Sequence, residues 1–287
     1  MQKRELVRTG LFGVAAAAAG AAHAAQDAAP AKKRLSENWD VVVVGAGFAG
    51  MCAALEAAER GAKTVLLEKM NRPDGATVYS SGWIAAVGSR FQKNHPEDSP
   101  KAFFEDMMRL SHQRSDPELI KVYAEESGAG IDWLADHGTP FYLWEGLPAP
   151  ELSRCLISPG EGITGGSKLI RCLMAALEKK GVAIHYNTKA VSLVKDECFN
   201  VEGVSCITPE GRKDYLARGG VILTTGGYGA NEAMVDKYIG PWASRLIVRG
   251  SPWITGENIL MAEEVQAVLV NMEQFYAGPN TPTGHCN

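Results

Sequence analysis

Apolar positions along this chain alternate between unbroken short runs and spacings of three and four residues. Val41 to Val44 is a continuous β-branched run, the pattern of a parallel strand covered on both faces. A helix is predicted from about Gly47 to Arg60, then a second short strand from Thr64 to Leu67. Periodicity is lost over Pro73 to Ala86 (PDGATVYSSGWIAA), which reads as a long loop rich in glycine and hydroxyl groups. Ser99-Pro100 and Asp116-Pro117 each place a capping side chain before a first-turn proline, starting helices that run to about Ser111 and His137. Phe141 to Pro159 reads as irregular. Gly165 to Lys180 is an amphipathic helix closed by Gly181. Short strands are then expected at Val182 to Tyr186, Ala190 to Lys195, Val201 to Thr208, Asp214 to Ala217 and Val221 to Thr225. The order predicts an α/β fold.

Composition adds bounds. The 287 residues are 46% apolar and 22% charged, ample for a core. A net charge of −4 carries no electrostatic footprint for nucleic acid. No apolar run approaches the roughly 18 residues of a membrane span, so none is expected in the mature chain. Residues 1–26 combine a basic head (Lys3, Arg4, Arg8) with a weakly apolar run and the small-x-small site Ala22-His23-Ala24. They read as an export signal resembling the twin-arginine kind, with Lys3 in place of the first arginine, which implies a periplasmic protein. A disordered alanine-rich tail is the alternative. Residues 27–38 read as a linker. The cysteines, Cys52, Cys155, Cys172, Cys198, Cys206 and Cys286, form no CxxC pair, so neither a dithiol centre nor a metal site is expected.

The chemistry lies at the first turn. Gly45-x-Gly47-x-x-Gly50 follows the first strand and opens the first helix, whose positive end faces any bound phosphate. Gly45 permits the sharp turn, Gly47 lets backbone approach a pyrophosphate, and Gly50 lets helix and strand pack closely. Glu68 ends the second strand 18 residues past Gly50, where a Rossmann-like fold needs a carboxylate for ribose hydroxyls. That carboxylate disfavours a 2′-phosphate and leaves NAD or FAD. The long loop, with Gly75, Thr77, Ser80, Ser81 and Gly82, suits a second wrap around an extended ligand and argues for FAD.

Four segments together resemble the flavoproteins of the fumarate reductase and succinate dehydrogenase family. They are DVVVVGAGFAGMCAALEAAERGAKTVLLEK, DGATVYSSGWIAA, VILTTGGYGAN and ITGENILMAEEVQAVLVNMEQF. The resemblance implies a Rossmann-like FAD-binding domain with a parallel sheet and a small antiparallel insertion, over residues 39–271, and the start of a capping domain at 272–287. It places Gly45, Gly47, Ala49 and Gly50 at the pyrophosphate and Glu68 with Lys69 at the adenosine end. Gly75, Thr77, Ser81 and Gly82 would line the pyrophosphate and flavin, Ala190 the adenine, and Thr225, Gly226 and Gly227 would close over the cofactor. Two positions depart. Asp74 stands where the family has glycine, and Ala76 where members with covalent flavin have histidine, so FAD is expected to be non-covalent.

The resemblance further implies hydride transfer between flavin and a C–C bond activated by a carboxylate or carbonyl, on an organic acid or enone. A single nucleotide turn points to a separate electron carrier. Gly278-Pro279 stands where the family has a histidine-proline pair, and the proton-transferring arginine is expected beyond Asn287. No catalytic residue is assigned. His95, His112, His137 and His185 lack ligand or relay spacing and read as surface or satisfied core residues; Arg154, Arg245 and Arg249 read as solvated, with meeting an anionic substrate as the alternative; and Glu257 and Asn258 are candidates to cap a helix. Three readings stay open: the flavoenzyme, an FAD-binding module without independent activity, and an NAD-binding dehydrogenase.

Overall fold

Strand β1 (Leu35–Val44) lies at the centre of a six-stranded sheet. The computed structural model describes residues 35–93, 95, 98–144, 154–160, 162–248 and 250–275. The expected leader, most of the linker, Arg249, Gly278-Pro279 and Cys286 lie outside the described residues. β2 (Thr64–Leu67) runs parallel to β1, with Val41 opposite Thr64 and Val44 opposite Leu67, and β6 (Ala183–His185) runs parallel to β2. On the other side of β1 come β9 (Gly211–Leu223), β8 (Val201–Thr208) and β7 (Lys189–Lys195), joined antiparallel. The sheet is therefore Rossmann-like at its centre and carries an antiparallel insertion at one side.

Alternation along the central strands feeds two cores. Val43 and Leu66 pack with α1 (Phe48–Glu59), α4 (Pro117–Asp136) and α5 (Gly165–Lys180) through Met51, Leu55, Ile131, Leu134, Leu173 and Leu177, all buried. Val42, Val44, Val65 and Leu67 pack on the other face with Leu193, Val204, Tyr215 and Met261. Both faces are covered, which is why the strand sequences carry no polar alternation. Capping side chains set the helix starts. Ser99 accepts from Ala102 N at the head of α3 (Pro100–Leu110), Asp116 accepts from Glu118 N, and Thr164 from Ser167 N, while Gly181 ends α5 at φ 75°.

Three expectations are corrected. The loop Pro73 to Ala86 contains a helical turn, α2 (Ala76–Tyr79), and a strand, β3 (Trp83–Ala85). Phe141 to Pro159, expected to be irregular, supplies β4 (Tyr142–Leu143) and β5 (Cys155–Ile157), and β5 pairs antiparallel with both β3 and β4. Strands of two or three residues hold too few positions to show a period, so their pairing comes from packing: Ile84, Leu143 and Leu156 all join the first core. The expected strands 214–217 and 221–225 are one strand, β9. Gly219 lies against the Asp40 carbonyl and Gly220 takes φ 131°, so the chain bends without breaking and passes from the insertion to the side of β1.

Candidate functional site

The glycine turn and the ends of β1, β2 and β9 enclose one pocket. Thr224 N donates to Val44 O at 2.8 Å, and Thr224 Oγ1 lies 2.8 Å from Val44 O and 3.0 Å from Gly45 O, so β9 fixes the turn from beside it. The first and third glycines are sterically required. Gly45 sits at φ 107°, where a Cβ would come 2.7 Å from Thr224 O; a Cβ on Gly50 would come 1.9 Å from Gly45 O. Gly47 has open space in the same direction and lines the pocket.

Glu68 is buried at the pocket wall. Its Oε2 accepts from Ala46 N and its Oε1 from Met70 N, both at 2.9 Å. Each oxygen keeps a further lone pair for a hydroxyl donor. Lys69 spans to the opposite wall, donating from Nζ to Trp253 O (2.5 Å), Thr255 Oγ1 (3.1 Å) and Glu257 Oε1 (2.8 Å). Ser251 Oγ donates to Asp74 O at 2.9 Å, and Thr225 Oγ1 accepts from Asn258 N at 3.2 Å. Residues 251–257 are thereby strapped across the cavity. Burial works to raise the Glu257 carboxyl pKa, but hydrogen bonds from Lys69 and Thr255 outweigh it and hold the group below the usual carboxylate range. The other Glu257 oxygen, Oε2, is buried without a hydrogen-bond partner.

Ten of the fourteen expected cofactor residues line this pocket: Gly45, Gly47, Ala49, Glu68, Lys69, Gly75, Thr77, Ala190, Thr225 and Gly226. Gly50 stands behind the turn. Ser81, Gly82 and Gly227 do not line it; Ser81 and Gly82 lie at the N-terminus of α5, where Ser158 N donates to Gly82 O at 3.2 Å and Gly166 N to Ser80 O at 3.1 Å. Thr77 Oγ1 accepts from Phe48 N at 3.3 Å, joining the Pro73–Ala86 segment to the first turn of α1. Asp74 also lines the pocket, and its carboxylate accepts from Arg72 Nη2 at 2.8 Å and from Tyr79 OH at 3.2 Å. Sequence reasoning missed Ser251, Trp253 and Ile254, which nothing local marks. Thr224 was legible beside Thr225.

Glu257 does not cap. It opens α6 (Glu257–Glu263), whose N-cap is Gly256 at φ 81° with no side-chain cap bond, and it serves as a wall carboxylate. Arg154 is corrected as well. It is neither solvated nor open to a substrate: Nε and Nη2 donate to the two Asp98 oxygens and Nη1 to Asp106 Oδ2, all at 2.7 Å, and the guanidinium sits over the Phe103 ring. Arg245 is exposed. His137 is held by Glu59 and Trp133 O, and His185 by Tyr215 OH. Burial pushes the thiols of Cys52 and Cys206 up to about 12, so both are inert. Among the described residues no group of His, Cys, Asp and Glu could hold a metal ion, and no helix is long and apolar enough to cross a membrane.

The donor set fits FAD: an open approach at Gly47 over the positive end of α1, and a buried carboxylate with spare acceptor capacity at the end of β2. The model of the FAD binding domain matches residues 40–285. A probable fumarate reductase of Shewanella frigidimarina is 31% identical over 245 residues, covering 85% of this chain and 41% of its own length. Urocanate reductase of Eggerthella lenta is 35% identical over 263 residues, covering 88% and 43%. The crystal structure of a 3-ketosteroid-Δ4-(5α)-dehydrogenase from Rhodococcus jostii superposes with a TM-score of 0.78 at 28% identity, covering 85% of this chain and 57% of that one. The chain thus spans less than half the length of the two relatives and rather more of the solved structure. The glycine turn, the buried Glu68 carboxylate and the family match agree: the chain belongs to the FAD binding domain family, among the flavoproteins of the fumarate reductase and succinate dehydrogenase type, and its cofactor is FAD.

Proposed function

We propose that this chain is the FAD-holding part of an oxidoreductase, and that by itself it binds the flavin without completing a catalytic cycle. The observation that carries this is the composition of the pocket wall. Its titratable residues, Glu68, Lys69, Asp74, Lys189 and Glu257, include neither arginine nor histidine, and four of them are tied to neighbouring protein groups: Glu68 to backbone, Lys69 and Glu257 to each other and to Thr255, and Asp74 to Arg72 and Tyr79. They suit holding a cofactor. The arginine that the resemblance assigns to proton transfer is not among them.

In this reading Glu68 accepts the adenosine ribose hydroxyls, and Glu257 holds Lys69 across the pocket wall. Gly47 admits the pyrophosphate against backbone, and Thr77 and Thr225 fix the segments on either side. FAD, when bound, supplies a hydride acceptor and donor at its ring. The names of the relatives, which act on fumarate, urocanate or a ketosteroid, support a C–C bond activated by a carboxylate or carbonyl as the substrate of the complete protein. Electrons would pass to or from a separate carrier. The basic, alanine-rich leader supports a periplasmic location, which fractionation of cells making the tagged protein would test.

The test is single-turnover. Flavin-loaded chain is reduced with dithionite, then mixed with fumarate, urocanate or an enone steroid. The expected result is a flavin that stays reduced, without product. Substrate-dependent reoxidation would overturn the module reading in favour of an independent enzyme. Ala76 offers only a methyl group in the pocket, so acid precipitation should release all the flavin into the supernatant.

A further inference from the structure

We propose that Arg72, outside the pocket, sets the affinity for FAD by cancelling the charge of Asp74; the inference rests on the FAD reading above. Asp74 is the one position in the turn-facing wall where this chain carries a carboxylate in place of the expected glycine. Its side chain is only 4% exposed, and it lines the pocket next to Gly75, whose added Cβ would lie 3.5 Å from the Gly47 Cα. A buried negative charge therefore stands beside the place that the pyrophosphate would take. In such a setting like charges repel far more strongly than in water.

The lysines of the pocket do not answer this charge. Lys69 Nζ lies 2.8 Å from Glu257 Oε1, and Lys189 Nζ lies 3.8 Å from the same atom. The cation that meets Asp74 is Arg72, with Nη2 2.8 Å from Oδ2 and a side chain 70% exposed. Tyr79 OH donates to the other carboxylate oxygen at 3.2 Å. The buried member of the pair is fixed by two donors, while the neutralising member is a surface side chain with no place in the pocket lining. Arg72 is thus a positioning residue for charge. Removing it should cost some stability, since Asp74 is buried, but leave the chain folded and expose the cofactor's phosphates to an uncompensated carboxylate.

FAD dissociation constants from flavin fluorescence quenching would be measured for the wild type, Arg72→Ala, Asp74→Asn and the double variant, at low and high salt. Arg72→Ala is expected to weaken binding roughly tenfold at low salt, with the loss shrinking as salt rises. In the Asp74→Asn background the same change is expected to have little effect, and Arg72→Lys should restore most of the affinity. Apo Arg72→Ala should stay folded with a somewhat lowered melting temperature, because Asp74 keeps the Tyr79 donor, and affinities are compared per folded molecule. An Arg72→Ala loss of equal size with and without Asp74 would overturn the inference while leaving FAD binding in place; so would no loss at all. Should Asp74→Asn fail to fold, Asp74→Gly serves in its place. A wild type that takes up no flavin would instead defeat the FAD reading, and this inference with it.

Discussion

Gly47 and Gly50 belong to one turn but differ in what a methyl group would meet. On Gly50 it would strike Gly45 O and Thr224 Oγ1, at 1.9 and 2.5 Å; on Gly47 it would enter open pocket. Gly50→Ala should therefore destabilise the apo-protein by about 2 kcal/mol or more, because strand, turn and helix must part. Gly47→Ala should cost about 1 kcal/mol at most and act instead on flavin affinity. Chemical denaturation of both apo variants, with flavin titration, checks the contrast. Equal destabilisation would contradict it. The same residues show how far the site could be read from the chain. Spacing from Gly50 located Glu68, because a βαβ unit fixes that distance. Nothing local could reveal that Lys69 reaches Glu257, 188 residues on, or that Ser251 closes onto Asp74. Such ties are set by the path of the backbone, which no window of sequence contains.

Among elements, the long helices were legible because caps and apolar spacing agree, while the three-stranded sheet was not. That small sheet is held from outside by Arg154, which joins the start of β5 to Asp98 and to Asp106 of α3. Taking away one member of a buried ionic cluster strands the others, so Arg154→Ala should lower stability by about 3 kcal/mol. Flavin affinity per folded molecule should not change, since none of the three lines the pocket; a large loss of affinity would show that the cluster acts on the site. A second tie joins the C-terminal ends of α1 and α4. His137 Nδ1 meets Trp133 O at 2.7 Å and Nε2 meets Glu59 Oε1 at 2.8 Å. Burial opposes protonation of this ring, but the Trp133 carbonyl and Glu59 carboxylate outweigh it and raise the pKa above the ordinary value. The contribution is then fully present below about pH 6.5 and is lost as pH rises through the raised folded value. His137→Ala should lower the melting temperature more at about pH 6 than at about pH 9. A pH-independent loss would assign His137 to packing alone.

At the scale of the molecule, the described residues form a cofactor-holding unit that leaves much apolar surface open. Val268 and Val270 are 84% and 70% exposed, and Trp242 lies tilted against Phe275 with both rings partly in solvent. Strong binding of an apolar dye by the folded chain is expected. The family match explains why the fold class was legible: the glycine turn, the end of β2 and the TTGG segment all belong to the cofactor site and recur in its order. The substrate side was not, because no described residue at the pocket can be assigned to it. The central claim is that this chain holds FAD by itself. The most direct measurement is the absorption spectrum of the purified chain after dialysis against FAD, with released flavin quantified and Gly47→Val as the control. About one flavin per wild-type chain, and little on the variant, is the predicted result. Folded wild-type protein carrying no flavin would contradict the claim.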